Sequence, residues 1–407
     1  MDNSLLAVRD INHKYIVVER MITMNLKHNK IFSRIAAIAM MVAMAITLLP
    51  GIGNTVKAAE SVTSVSMDVI LYKRLPVYAP NTTFKFDVKP LTAAEAKAAN
   101  NNAELVPAFK DAMADGVVAD EITMTPSASD LGHTSLKNTL TLTLDQAKFI
   151  SAGLGTYRYE VKQNTEAQYE GIKYDDAVRY LDVTVGVDDN GNAYIVSASL
   201  NTYKEGRLVK SGVFVNTYGV KKPDPTDPTD PDDPPVYPED PDTEPDGTVN
   251  DLTLEKNVTG TYGERSKSFT FKITINGAEG EWYNLEGQEP IKKGETTTIT
   301  LKHGESVKIY GLSKGDKYTI EETSEEGYTT KIKTTVNGAD KAEIDGTVVT
   351  DNTIDEGTSL QEQNVKFTND RGGSATGFVS TYGPYVIMVI LAGVAAFGLF
   401  RKRRSEF

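Results

Sequence analysis

The 407-residue chain carries 56 acidic against 43 basic residues, a formal net charge of −13, and no cysteine. The acidic balance disfavours nucleic acid and anionic membrane surfaces as partners, and the missing thiols remove disulfides, thiolate metal sites and cysteine nucleophiles. Of four histidines, His13 and His28 precede the candidate domains, while His133 and His303 stand singly in "DLGHTS" and "LKHGES" and read as surface residues. A hydrolytic triad or a zinc site is therefore hard to assemble, and neither a metal nor a cofactor is expected.

Residues 1–59 read as a signal peptide region. Lys27, Lys30 and Arg34 precede the apolar run "IAAIAMMVAMAITLLP", and the small residues Ala58 and Ala59 follow it. Initiation at Met21 or Met24 would leave that signal whole. Residues 62–220 are mostly strand-like, with "VILYKRLPV", "TTFKFDVKP", "TLTLTL", "TYRYEVKQ", "RYLDVTVGV", "AYIVSASL" and "GVFVNTYGV" separated by Gly, Asn and Asp. The alanine-rich stretch Thr92–Ala114 predicts one helix within a connection between strands.

Residues 221–250 hold nine of the 17 prolines, interleaved with ten acidic residues. Such sequence favours extended polyproline II at about 3.1 Å per residue, which predicts a spacer of about 70 Å over Pro223–Asp246. Residues 251–371 return to strand patterns with "LTLEKNV", "SFTFKITI", "TTTITL", "SVKIYGL", "KYTIEET", "YTTKIKTTV" and "NVKFTND". In residues 373–407, the apolar run Tyr382–Phe400 would form a helix of about 28 Å, enough for one hydrocarbon core, and Arg401–Arg404 make a basic stop. The predicted fold class is all-β. Two immunoglobulin-like antiparallel sandwiches stand in tandem, joined by the Pro/Asp-rich spacer, with an N-terminal signal peptide and a C-terminal transmembrane sorting helix.

Alternation along "LTLEKNV" puts Leu252, Leu254, Lys256 and Val258 on one face, so a lysine lies in the apolar row. Lys73 does the same among Val69, Leu71, Leu75 and Val77. Each half also closes on a strand with an asparagine in register with an aromatic residue: Phe214 and Asn216, then Phe367 and Asn369. A buried lysine against a buried asparagine permits amide formation, in which the neutral amine attacks the carboxamide carbon and ammonia leaves. Apolar burial lowers a lysine pKa and raises a carboxyl pKa, so one dry pocket prepares both the nucleophile and a proton-donating acid. Tyr318, Ile320 and Glu322 share the inward face of "KYTIEE", which nominates Glu322 as that acid. The alternative is a Lys256–Glu322 salt bridge with Asn369 capping a turn.

On these residues the chain resembles the Gram-positive major pilins, specifically the streptococcal pilin isopeptide-linkage family. "LTLEKNVTG", "GDKYTIEE" and "KFTND" carry the resemblance in the second half, and "VILYKRLP", "NTTFKFDVKP", "GTYRYEVKQ", "GIKYDDAVRYLDVTVGV" and "FVNTYG" carry it in the first. It implies autocatalytic Lys256–Asn369 and Lys73–Asn216 cross-links, with Glu322 as the catalytic proton donor and acceptor. In the first half, Gln163 stands where the family has its glutamate and cannot supply a proton at neutral pH. Alternation there turns Arg158, Glu160 and Lys162 to solvent. A carboxylate would have to come from Glu160 through a bulge, or from Glu166 or Asp175 in the following loop.

The resemblance further implies a sortase signal at "GSATG", with Thr376 as acyl donor, cleavage before Gly377, and Ala375 where proline is usual. An exposed lysine would receive the neighbouring subunit, with Lys210 nearest in position and Lys221 and Lys222 as alternatives. The implied protein is a secreted cell-wall pilus subunit of a Gram-positive bacterium, not an enzyme on external substrates. Its partners would be a sortase, other pilin subunits or peptidoglycan, and the membrane before sorting. A monomeric wall-anchored adhesin or stalk that binds a host ligand is the alternative.

Overall fold

The computed structural model describes residues 60–166, 168–204, 207–226, 234–354 and 360–372. The expected signal peptide, the sorting helix, Thr376 and Gly377 lie outside the described residues. Among the described residues no helix is long and apolar enough to cross a membrane.

Each half builds two sheets over a common core. In the first, a five-stranded sheet holds Ser64–Lys73 between Ser135–Leu144 and Phe214–Tyr218, and the facing sheet runs through Thr82–Pro90, Gly155–Asn164, Arg179–Val187 and Ala193–Lys204. Leu71, Leu140 and Phe214 from one sheet meet Phe84, Tyr157 and Val183 from the other in a single apolar cluster. In the second half, Val249–Thr259 lies between Ser306–Ser313 and Glu362–Asp370, facing a four-stranded sheet with Phe269–Asn276 and Lys317–Glu322 at its centre. The pairing is not wholly antiparallel, because in both halves the opening strand pairs in parallel with the closing strand. Parallel neighbours need a long connection between them, and here that connection is the rest of the domain.

Three expectations give way to longer-range packing. The predicted Thr92–Ala114 helix is only Ala93–Ala98, started by a Thr92/Glu95 capping box. It stops where Asn101 and Asn102 take left-handed φ of 53° and 60°, which short polar side chains tolerate. A second helix, Gln146–Ala152, was not read from the sequence; Asp145 caps it and Gly153 at φ 88° ends it.

Arg158 does not face solvent but is fully buried. The insert roofs that face of the sheet, so Leu91, Ala96 and Phe109 form a small outer core. The guanidinium makes a bidentate pair with Asp182 at 2.6 Å and lies over the Phe109 and Tyr180 rings.

Nor is the spacer a rod. Val220 pairs with Pro245 and Thr226 with Val236, so this segment doubles back on itself. The outer faces of the opening and closing strands carry Ile70, Tyr72 and Val215, and Val220 and Tyr237 cover them. Tyr72 donates to the Pro238 carbonyl and Ser135 to that of Glu239. Apolar area removed from water favours this closure over extension.

With its ends together, the segment brings the two sandwiches into contact. Arg74 pairs with Asp251, both buried, Asn284 Nδ2 donates to Pro76 O at 2.8 Å, and Tyr78 packs edge-on against Trp282. Tyr218 reaches the buried Glu281 and Ser313.

Removing one member of a buried ion pair strands its partner, at about 3–5 kcal/mol. Arg158→Met is expected to destabilise the first sandwich by that amount, read as a lower urea midpoint, while Arg158→Met/Asp182→Leu recovers most of the loss.

Candidate cross-linking site

The second sandwich brings Lys256, Glu322 and Asn369 together from three strands and two sheets. Along Val249–Thr259, buried and half-buried residues alternate so that Leu252, Leu254, Lys256 and Val258 all point inward. Along Lys317–Glu322 the inward set is Tyr318, Ile320 and Glu322. The parallel register sets Lys256 opposite Phe367 and Val258 opposite Asn369, leaving lysine and asparagine two positions apart on adjacent strands. Glu322 reaches them from the facing sheet, where it pairs with Phe271.

All three side chains are at most 1% exposed. Lys256 Nζ donates to Glu322 Oε1 at 2.9 Å, and Asn369 Nδ2 donates to the same oxygen at 2.7 Å. The ammonium lies 4.3 Å from the Phe269 ring centroid and 5.9 Å from that of Phe271, and Phe271 packs edge-on against Phe367. Glu322 Oε2 and Asn369 Oδ1 are buried without hydrogen-bond partners. Burial drives the Lys256 pKa down to about 8 against the pull of Glu322, and pushes the Glu322 carboxyl up against the pull of Lys256. Both shifts favour the neutral amine and neutral acid over the ion pair.

The first sandwich does not repeat this arrangement. Lys73 is buried, and burial likewise lowers its pKa to about 8, but its Nζ donates to the carbonyls of Val77 and Asp130. Asn216 Oδ1 accepts from the Asp175 backbone N–H at 3.1 Å. Gln163 is paired with Phe86 as Glu322 is with Phe271, and both of its side-chain polar atoms are buried without a partner. Glu160 is half-buried and its carboxylate pairs with Lys162. Asp175 does reach in, but arrives bound to Arg179 through two hydrogen bonds of 2.9 and 3.0 Å. Lys210 is exposed at the end of the short strand Arg207–Lys210, and Lys221 and Lys222 are exposed too.

Arg179 was missed by the reading of the sequence. It is in register with Leu181, Val183 and Val185, so the alternation that exposed Lys256 as an inward residue also marks this arginine.

Residues 70–219 match the family model described as Spy0128-like isopeptide containing domain, and residues 250–371 match one described as a domain of unknown function (DUF7601). A pilin of Streptococcus pyogenes serotype M1 is 25% identical over 368 residues, covering 86% of this chain and 93% of that protein. The pilus tip adhesin Cpa of Streptococcus pyogenes is 37% identical over 87 residues, 20% of this chain and 12% of the adhesin. The solved major pilin from Streptococcus pyogenes has 22% identity and a TM-score of 0.49, covering 77% of this chain and all of that one. The Spy0128-like domain match and the pilin relative show the resemblance to streptococcal pilins.

An Asn369→Ala chain keeps the amine and the acid but has no carboxamide to attack. Its Lys256 titrates near 8 when folded against 10.5 for the free side chain, so the unfolded state binds more protons between those values. This contribution to stability is fully present above 10.5 and lost as pH falls through 8. Thermal melts should show Asn369→Ala gaining stability from pH 8 to 10.5, with that gain absent in Asn369→Ala/Lys256→Met.

Proposed function

We propose that this chain, a relative of the streptococcal pilins, is a structural subunit of a cell-surface pilus whose second domain ties its own first and last strands together with a Lys256–Asn369 amide. The observation that carries the cross-link is a single carboxylate oxygen, Glu322 Oε1, within hydrogen-bond reach of both the attacking amine and the departing amide nitrogen.

The chemistry starts from an ion pair and needs no outside proton. Transfer of one proton along the 2.9 Å Lys256–Glu322 hydrogen bond turns ammonium and carboxylate into amine and acid. The apolar, aromatic surroundings favour that neutral form. The free lone pair of Nζ then attacks Asn369 Cγ, forming the new C–N bond. Glu322 protonates Nδ2 as the Cγ–Nδ2 bond breaks, and takes back the proton that Nζ sheds. Amine and amide are thus converted to a substituted amide and ammonia, with Glu322 restored. Burial excludes water that would otherwise compete for the same carbon, and fixed geometry replaces the high concentration an intermolecular amide exchange would need.

Joining residues 113 positions apart stabilises the fold by about 5 kcal/mol on the chain-entropy relation used for disulfides. For a filament the larger gain is mechanical. Load entering at Val249 can pass from Lys256 directly to Asn369, so residues 257–368 carry none of it.

Sortase joining through Thr376, with cleavage before Gly377 and Lys210, Lys221 or Lys222 as acceptor, belongs to this reading. The partial match to a pilus tip adhesin favours the rival role, a wall-attached binding protein. In wall extracts of producing cells a pilus subunit gives a ladder of masses that collapses in Thr376→Ala, whereas an adhesin gives one band.

Intact mass tests the cross-link directly. The chain from Glu60 onward is expected to weigh one ammonia less than its sequence. Lys256→Ala and Glu322→Ala should each restore the full mass, and an unaltered wild-type mass would sink the proposal.

A further inference from the structure

The first sandwich holds a buried arginine beside its closing strand. Arg179 lies over Phe214, 3.6 Å from the ring centroid, and Phe214 packs on Phe86 just as Phe367 packs on Phe271. From that position Arg179 binds the closing strand and the residues just before it, donating to Val213 O at 2.6 Å and Ser211 Oγ at 3.0 Å. Its partner Asp175 binds the same strand, accepting from Val215 N at 2.9 Å through Oδ2 and donating its own N–H to Asn216 Oδ1. The Asn216 carboxamide is therefore engaged by the Asp175 backbone, and Asp175 itself is held by Arg179. Burial pushes the Asp175 carboxyl up, but the Arg179 hydrogen bonds and charge leave it below the usual aspartate value, so it stays ionised and offers no proton.

Lys73 also differs from Lys256 in register: it stands two positions C-terminal of the residue opposite Asn216, where Lys256 stands two positions N-terminal of the residue opposite Asn369, and its Nζ is engaged by the Val77 and Asp130 carbonyls. In the second sandwich the residue opposite the aromatic Phe367 is Lys256; in the first, the residue opposite Phe214 is Val69. Lys73 lies four residues further along, roughly 13 Å at strand rise, opposite Tyr218. The parallel pairing of opening and closing strands is also shorter, five residue pairs against nine.

We propose that the first sandwich is closed by the Arg179–Asp175 clamp on its last strand in place of an amide bond, making it the half of the subunit that yields and re-forms under tension. The second sandwich cannot extend beyond its cross-link, so extension falls to the first. Hydrogen bonds and an ion pair re-form after rupture, whereas a broken amide in a spent site does not. The contrast with the second half rests on the Lys256–Asn369 reading, but the clamp itself does not.

Single-molecule pulling on the chain from Glu60 onward, held by its ends, tests this. One unfolding event per molecule is expected, lengthening it by roughly 500 Å for residues 64–218 at extended-chain rise, and reappearing after relaxation. Arg179→Gln should lower the force of that event and leave the deficit of one ammonia against its own sequence mass unchanged. No such event, or an unchanged force in Arg179→Gln, overturns the clamp. A second event in the wild-type chain would instead count against the Lys256–Asn369 bond and leave the clamp standing. Gln163→Glu gives an independent check that does not disturb the ion pair. With Lys73 Nζ held by the Val77 and Asp130 carbonyls, its ammonia loss should equal that of the parent chain, and one further ammonia lost would overturn the proposal.

Discussion

The hydrogen bond from Lys256 to Glu322 is the constraint around which the second sandwich is organised. Two ionised groups removed from water are unfavourable unless their attraction and further hydrogen bonds compensate. Here the compensation is incomplete, since Glu322 Oε2 and Asn369 Oδ1 have no partners. A strained electrostatic arrangement of this kind is a poor structural device and a good reactive one. In the proposed reaction, moving one proton relieves the charge, and forming the amide would then remove the lysine as a titrating group altogether.

That constraint explains what surrounds it. The parallel pairing of opening and closing strands puts the lysine and the asparagine on neighbouring strands two positions apart. Glu322 reaches them from the facing sheet, and all three side chains are buried. Phe269, Phe271 and Phe367 line this space.

The first sandwich shows how the same scaffold accepts a different solution. It keeps the aromatic pair, the buried asparagine and the buried lysine, but has glutamine for the acid and inserts a guanidinium over the ring. Arg179 is permanently charged, and its planar fork suits a carboxylate at two points. It therefore holds strands in place but cannot become a nucleophile. The difference lies in glutamine for glutamate, in the side of the asparagine on which the lysine stands, and in one arginine, rather than in the fold.

The period of two in β-structure is a local property, and from it the sequence by itself determined that Lys256, Glu322, Asn369 and Gln163 point inward; that Gln163 stands in place of an acid came from the resemblance to the pilin family. The same rule marks Arg179, where it was not applied. What only the tertiary structure decided were relations between residues far apart in the chain. The four-residue difference in lysine register depends on how the opening and closing strands slide past each other. Arg158 is buried because the helical insert roofs a face that alternation assigns to solvent. The proline-rich segment folds back because Ile70, Tyr72 and Val215 leave an apolar outer surface to be covered. Alternation says which side of a strand a residue occupies, but only packing says what lies on that side.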